Sequence, residues 1–237
     1  NEKVHKEFKV DIKVDNSLCP RFSAIILDEV QVKPSPLWMQ SLLSAVGVRP
    51  INNIVDITNY VMLDKGQPLH AYDYDQLAGN KLIVRKAKTS EKATTLDGLE
   101  HELNSDMVVI SDEEEVEDIA GIMGGNKSQV SEKTTTIVLE AANWEMYNIR
   151  RTSRELGIRT EASTRFEKGQ DPELTVPSLN TAASLVQDLG QAEIASELID
   201  YYPEPVTDSY ISISLDTANR YLGSDFKTQD LIEFMGR

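Results

Sequence analysis

Apolar residues along this chain follow two rhythms, and the switches between them mark out the elements. From Arg21 to Val32, RFSAIILDEVQV alternates well enough for a strand pair or one long bent strand. Ser35-Pro36 then reads as a helix start, a serine N-cap with proline at the first helical position. Met39, Leu42, Leu43 and Val46 recur at helical spacing, and Gly47 closes the helix. A second helix is predicted over roughly 53–65, where Ile54, Val55, Thr58, Val61 and Met62 share a face before the Gly66 stop.

The middle of the chain reads as β. Lys81–Ala87 and Met107–Ser111 are short apolar strands, Leu96-Asp97-Gly98-Leu99 is a hairpin signal, and Thr136–Leu139 is a strand that ends on Glu140. The acidic run Asp112–Asp118 reads as a solvated turn. Helices follow over roughly 144–156, stopped by Gly157, and from Asp171-Pro172 to Gly190. Tyr202–Pro205 is the best linker, and beyond it come a strand over Ile211–Leu215 and two short helices from Asp216 and Thr228. Strands and helices mix without a regular βαβ repeat. The predicted class is therefore α+β, with mixed or antiparallel sheets and packed helices.

Composition narrows the function. The chain has 237 residues, 40% of them hydrophobic, and no apolar run long enough to span a membrane. The start lacks a secretory h-region and an initiator methionine, which reads as an excised fragment. One cysteine excludes an internal disulfide framework and a thiolate zinc cluster, and three scattered histidines make a metal site an unfavoured reading. A reducing, cytoplasmic compartment fits. A net charge of −15 argues against non-specific nucleic-acid binding. The G-x-x-x-x-G-K-[ST], G-x-G-x-x-G and G-x-S-x-G signatures are absent.

Four segments carry suggestive chemistry. Arg49-Pro50 sits at a helix joint, as a surface cation or an anion contact. His70, on the loop QPLHAYD, is either structural or an oriented base. Gly124-Gly125 form a tight turn or a place where backbone approaches a ligand. Glu140 is a carboxylate at the end of an apolar strand, poorly solvated unless paired. Downstream of it Arg150, Arg151, Arg154, Arg159, Arg165 and Lys168 make a local basic patch, with glutamates interleaved.

Taken together, RPINNIVDITNYVMLDKGQPLHAYD, IAGIMGG and LEAANWEMYNIRRTSRELGIRTEASTRFEKGQDP resemble the β subunit of bacterial phenylalanyl-tRNA synthetase, in its third and fourth domains. The resemblance implies an entry segment over 1–17, a tRNA-editing module over 18–203 and the truncated start of a following domain over 204–237. It further implies hydrolysis of tyrosine wrongly esterified to tRNA(Phe). Glu140 matches the acceptor of the tyrosine hydroxyl and His70 the histidine that positions water. Arg49, Thr58, Asn59, Gly124, Thr160 and Ala162 match substrate-binding positions. No metal or cofactor is implied for this region; the full synthetase would use ATP and Mg. Its partners would be the alpha subunit, in a heterotetramer of two alpha and two beta chains, and tRNA(Phe). Two other readings compete: a structural or tRNA-docking module whose editing site is silent, and a free-standing hydrolase of another small ester or amide. The first reading requires Arg49, His70, Gly124, Glu140 and Thr160 to converge on one cavity.

Overall fold

The computed structural model describes residues 8–207 and 210–236. The chain divides into two compact units, Asn1–Glu204 and Pro205–Arg237. The larger unit is built on two five-stranded sheets. In the first, β1 (Asp11–Val14), β4 (Lys81–Lys86), β7 (Val108–Ser111), β8 (Val116–Ile119) and β9 (Met123–Gly124) lie side by side in that order. In the second the order is β11 (Glu193–Ile194), β2 (Arg21–Asp28), β10 (Ile137–Asn143), β3 (His70–Asp73), with β12 (Ile199–Tyr201) also pairing with β2. The hairpin β5 (Glu91–Thr94)–β6 (Glu100–Leu103) closes over the LDGL turn. β1 and β4 run parallel, while the other ladders are antiparallel, as the α+β class anticipates.

Alternation along β10 separates two cores. Ile137, Leu139 and Ala141 face a helical layer, packing with Met39 and Leu43 of α1 (Leu37–Ala45), Ile54, Ile57 and Val61 of α2 (Asn53–Lys65), and Leu179 and Val186 of α5 (Thr175–Gly190). Val138 and Ala142 face the first sheet, meeting Ile110, Ile119 and Leu82 together with Ile149 of α3 (Met146–Leu156) and Phe166 of α4 (Glu161–Phe166). A strand buried on both faces reads as a continuous apolar run, which is how IVLEAA reads apart from its one carboxylate.

α2 begins where Asn52 accepts the N–H groups of Ile54 and Val55 at 3.0 Å each, and it ends at Gly66 in the left-handed region. Several expectations are corrected. His70 does not sit on a loop but opens β3. Ser35 does not cap α1; its hydroxyl donates to buried Asp56 at 2.6 Å, and Pro36 takes the cap position. Glu140 lies inside β10 and not at its end. The acidic run is a solvated turn only at Glu113–Glu115: Asp112, Glu117 and Asp118 are buried, and Val116–Ile119 is an interior strand of the first sheet.

In the smaller unit, α6 (Leu215–Leu222) starts at Ser214, whose hydroxyl accepts the Thr217 N–H, and Gly223 ends it before α7 (Thr228–Met235). That cap draws Leu215 into the helix, so the expected strand over Ile211–Leu215 does not form.

Candidate active site

Between the two sheets lies a cavity of about 70 Å³, and its polar walls come from facing strand pairs. On one side the antiparallel register of β3 and β10 sets His70 directly opposite Glu140. On the other, the β8–β9 register sets Asp118 opposite Gly124. All four residues line the cavity, with Ala162, Trp144 and Phe166 closing it at the α3–α4 side.

His70 is held in place by its surroundings. Gln67, fully buried, donates from Nε2 to the Ala142 carbonyl at 2.9 Å, tying the loop before β3 to β10. The imidazole meets the Tyr72 ring edge-on at 4.4 Å, and its buried Nε2 has no hydrogen-bond partner among the described residues. Burial without a carboxylate partner lowers its pKa to about 4, so the ring is neutral at physiological pH with a lone pair available.

Burial pushes Glu140 well above the usual carboxylate range, and the neighbouring Asp118 adds to the shift. Asp118 itself rises to about 8, raised by burial and by Glu117 and moderated by the Tyr72 hydroxyl, which donates to its Oδ2 at 3.2 Å. Two carboxyls therefore face one small space with no cation beside them in the cavity lining. Such a site favours a ligand that brings its own hydrogen-bonding groups.

The glycine segment is shaped by space. Gly124 and Gly125 both avoid positive φ. A Cβ on Gly124 would strike the His70 ring, and one on Gly125 would strike the Glu117 backbone carbonyl. Gly121 differs: its φ is +65°, and an added Cβ would lie 2.8 Å from Trp144 and 3.1 Å from Phe166.

Thr160 caps α4, accepting the Ser163 N–H at 3.0 Å while its hydroxyl donates to the Ile122 carbonyl at 2.8 Å. It thus pins α4 to the glycine segment from just outside the cavity lining. Arg49 is exposed in the α1–α2 connection and is not among the lining residues. Thr58 spends its hydroxyl on the Val55 carbonyl at 2.7 Å, and Asn59 is half-buried on α2; neither lines the cavity. The structure thus brings together His70, Gly124, Glu140 and Ala162, with Thr160 behind them, and leaves Arg49, Thr58 and Asn59 outside; the expected convergence on one cavity is met by His70, Gly124 and Glu140 and not by Arg49 or Thr160.

Sequence reasoning missed Asp118, Tyr72, Gly121, Trp144 and Phe166. Tyr72 had a usable signal, two residues beyond His70 on what proves to be a strand. Asp118 had none, because the acidic run around it masked a strand. In the basic patch, Arg150, Arg151, Arg154, Arg159 and Lys168 are exposed, while Arg165 pairs with Glu161 at 2.6 Å.

Residues 18–191 match the B3/4 domain family. The chain is 44% identical over 227 residues to a phenylalanine–tRNA ligase beta subunit of Carboxydothermus hydrogenoformans, covering 95% of this chain and 28% of that one. It is 45% identical over 223 residues to that of Moorella thermoacetica, covering 93% and 27%. The chain therefore spans under a third of the length of these relatives. An N-terminal fragment of the phenylalanyl-tRNA synthetase beta subunit from Pyrococcus horikoshii shares the fold, with a TM-score of 0.52 at 13% identity over 94% of this chain and 62% of that one.

Proposed function

The chain belongs to the B3/4 domain family and forms part of a phenylalanyl-tRNA synthetase beta subunit, and from that premise we propose that its inter-sheet cavity hydrolyses tyrosine mis-esterified to tRNA(Phe). The observation that carries this reading is the cross-strand pair His70–Glu140, a neutral imidazole and a buried carboxyl side by side in the lining of one cavity.

Tyrosine exceeds phenylalanine by one hydroxyl, which an apolar synthetic pocket rejects only modestly. A second site reverses the preference when it holds a buried polar group that needs a partner. With tyrosine bound, Glu140 accepts the phenolic hydrogen bond. With phenylalanine bound, the carboxyl stays unpaired, at a cost of about 1–3 kcal/mol or more. His70 Nε2 takes a proton from water as the water oxygen bonds to the ester carbonyl carbon. The carbon–oxygen bond to the ribose then breaks, and the proton passes to the departing ribose oxygen, leaving tyrosine and intact tRNA. Gly124 leaves room for the imidazole and Ala162 forms the α4 wall, with Thr160 pinning that helix from behind; the substrate contacts expected of Arg49, Thr58 and Asn59 are not retained, since none of them lines the cavity. The exposed arginines of α3 suit the phosphates of the acceptor end, which is how an acidic chain serves a nucleic-acid substrate.

On this reading, residues 18–203 are the editing module and 204–237 begin the next domain. The ligase reaction, its ATP and Mg, the alpha subunit and the cytoplasmic setting belong to the whole enzyme. The test is deacylation of tyrosyl-tRNA(Phe) by the full synthetase. Glu140→Ala and His70→Ala are expected to slow it by about a hundredfold. Equal rates for both variants and the parent would leave only a docking module.

A further inference from the structure

Asp118 is a buried polar residue of this cavity that the hydrolytic scheme leaves without a task. It faces Gly124 across the β8–β9 register and lines the same space as Glu140. One of its oxygens, Oδ2, receives the Tyr72 hydroxyl at 3.2 Å, and no described residue bonds the other. Tyr72 is itself fully buried and stands two positions from His70 on β3, so its bond holds the Asp118 carboxyl in place across the gap between the sheets. A phenolic hydroxyl both donates and accepts, and one acceptor satisfies half of it.

We propose that Asp118 is a second specificity-determining residue of the cavity, hydrogen-bonding the phenolic oxygen of tyrosine while Glu140 takes the phenolic hydrogen. This rests on the hydrolase reading and adds a second hydrogen bond to its basis for selecting tyrosine. A protonated Asp118 supplies the donor and an oxygen of Glu140 the acceptor, and burial holds the proton on Asp118. Phenylalanine leaves both unsatisfied. A structural role for Asp118, limited to bonding Tyr72, would affect both aminoacyl esters alike.

The experiment compares deacylation of tyrosyl-tRNA(Phe) and phenylalanyl-tRNA(Phe) by the full synthetase, reading the ratio of the two kcat/KM values. Tyr72→Phe is the background, so that Asp118→Leu on top of it orphans no buried hydroxyl. The double variant is expected to lower the ratio about tenfold or more relative to Tyr72→Phe, chiefly through the tyrosyl substrate. Asp118→Asn keeps an oxygen for Tyr72 and an N–H for the phenol, and is expected to hold the ratio within about threefold of the parent. A ratio unmoved by Asp118→Leu overturns the proposal, and so does a parallel fall for both substrates. Thermal midpoints are read alongside; should the double variant be unfolded at assay temperature, Asp118→Ser on the same background is judged by the same two criteria. Failure of the hydrolase reading looks different: the parent enzyme would not exceed spontaneous deacylation, and the role given to Asp118 would fall with it.

Discussion

Two groups of buried carboxyls lie on neighbouring stretches of this chain and are treated in opposite ways. Around Lys127, the ammonium sits 2.6 Å from Asp112, 3.0 Å from Glu117 and 3.2 Å from Glu115. Asp112 also accepts the backbone N–H groups of Ala78, Glu114 and Glu115, which together with Lys127 hold it well below the usual carboxylate range. Glu117 is raised by burial to about 7, since Lys127 stands within ion-pair distance at 3.0 Å but no described residue hydrogen-bonds its buried oxygens. In the cavity, one residue beyond Glu117, Asp118 and Glu140 receive a single tyrosine hydroxyl between them. A compensated cluster is scaffolding: it fixes β8 and the glycine segment. An uncompensated one costs stability as it stands and gains from a ligand, which is the physical basis for reading the cavity as a candidate functional site.

The largest effect should come from breaking the compensated side. Lys127→Met leaves two fully buried side chains, Asp112 and Glu117, without their counter-ion. The expected loss is about 3 kcal/mol, read as a lowered urea midpoint of the chain. A smaller loss would mean that the backbone donors suffice.

Next come the adjacent glycines, which divide the two regions within one dipeptide. Gly125→Ala forces a methyl onto the Glu117 carbonyl and should destabilise by about 1–3 kcal/mol. Gly124→Ala pushes only a side chain, the His70 ring, and should reduce tyrosyl-tRNA deacylation about tenfold or more with a smaller stability change. If both act alike on the melt, the distinction fails.

Titration sharpens the comparison further. Asp118 holds its proton in the folded chain up to about pH 8, whereas unfolded it loses that proton near 3.8. The folded state therefore binds more protons in between, and stability falls as pH rises through that window. Asp118→Asn removes this cost. We expect its midpoint to gain about 2–4 °C over the parent at pH 8 and little near pH 4. His70 runs the other way: its folded value near 4 lies below 6.5, so its burial weakens the fold as pH drops from 6.5 toward 4. The corresponding catalytic expectation is a deacylation rate, corrected for spontaneous hydrolysis, with no loss from His70 protonation between pH 8 and 6. A step near 6.5 would show that the ring is solvated in the working enzyme.

The smallest effect is expected outside the cavity. Arg49→Ala, exposed in a loop, should change deacylation by no more than about threefold. A larger change would bring the α1–α2 connection into the site.

Much of the scaffold was legible because its signals are local. The spacing from Ile54 to Met62 and the Gly66 stop gave α2, and LDGL gave the β5–β6 turn. The acidic strand β8 was hidden because its compensating lysine lies up to fifteen positions away and acts through space. α4 was missed because a six-residue helix leaves little periodicity, and its evidence is the Thr160–Ser163 capping box. The site was half legible. His70 and Glu140 each looked ordinary in isolation, and only family resemblance joined them, since their meeting depends on a register seventy positions long. Asp118 resembled surface charge and could be assigned to the cavity only in three dimensions.

The position of Glu140 within β10 also constrains how the gene can drift. β10 is paired along its whole length with β2 and over four residues with β3, and successive side chains face opposite cores. Losing one codon between Ile137 and Leu139 would turn Glu140 toward the helices and an apolar neighbour into the cavity. Length variation among sequences that keep this chemistry should therefore be excluded from 137–143 and confined to places such as the exposed turn at Glu132-Lys133, where an added residue leaves the strand's phase unchanged.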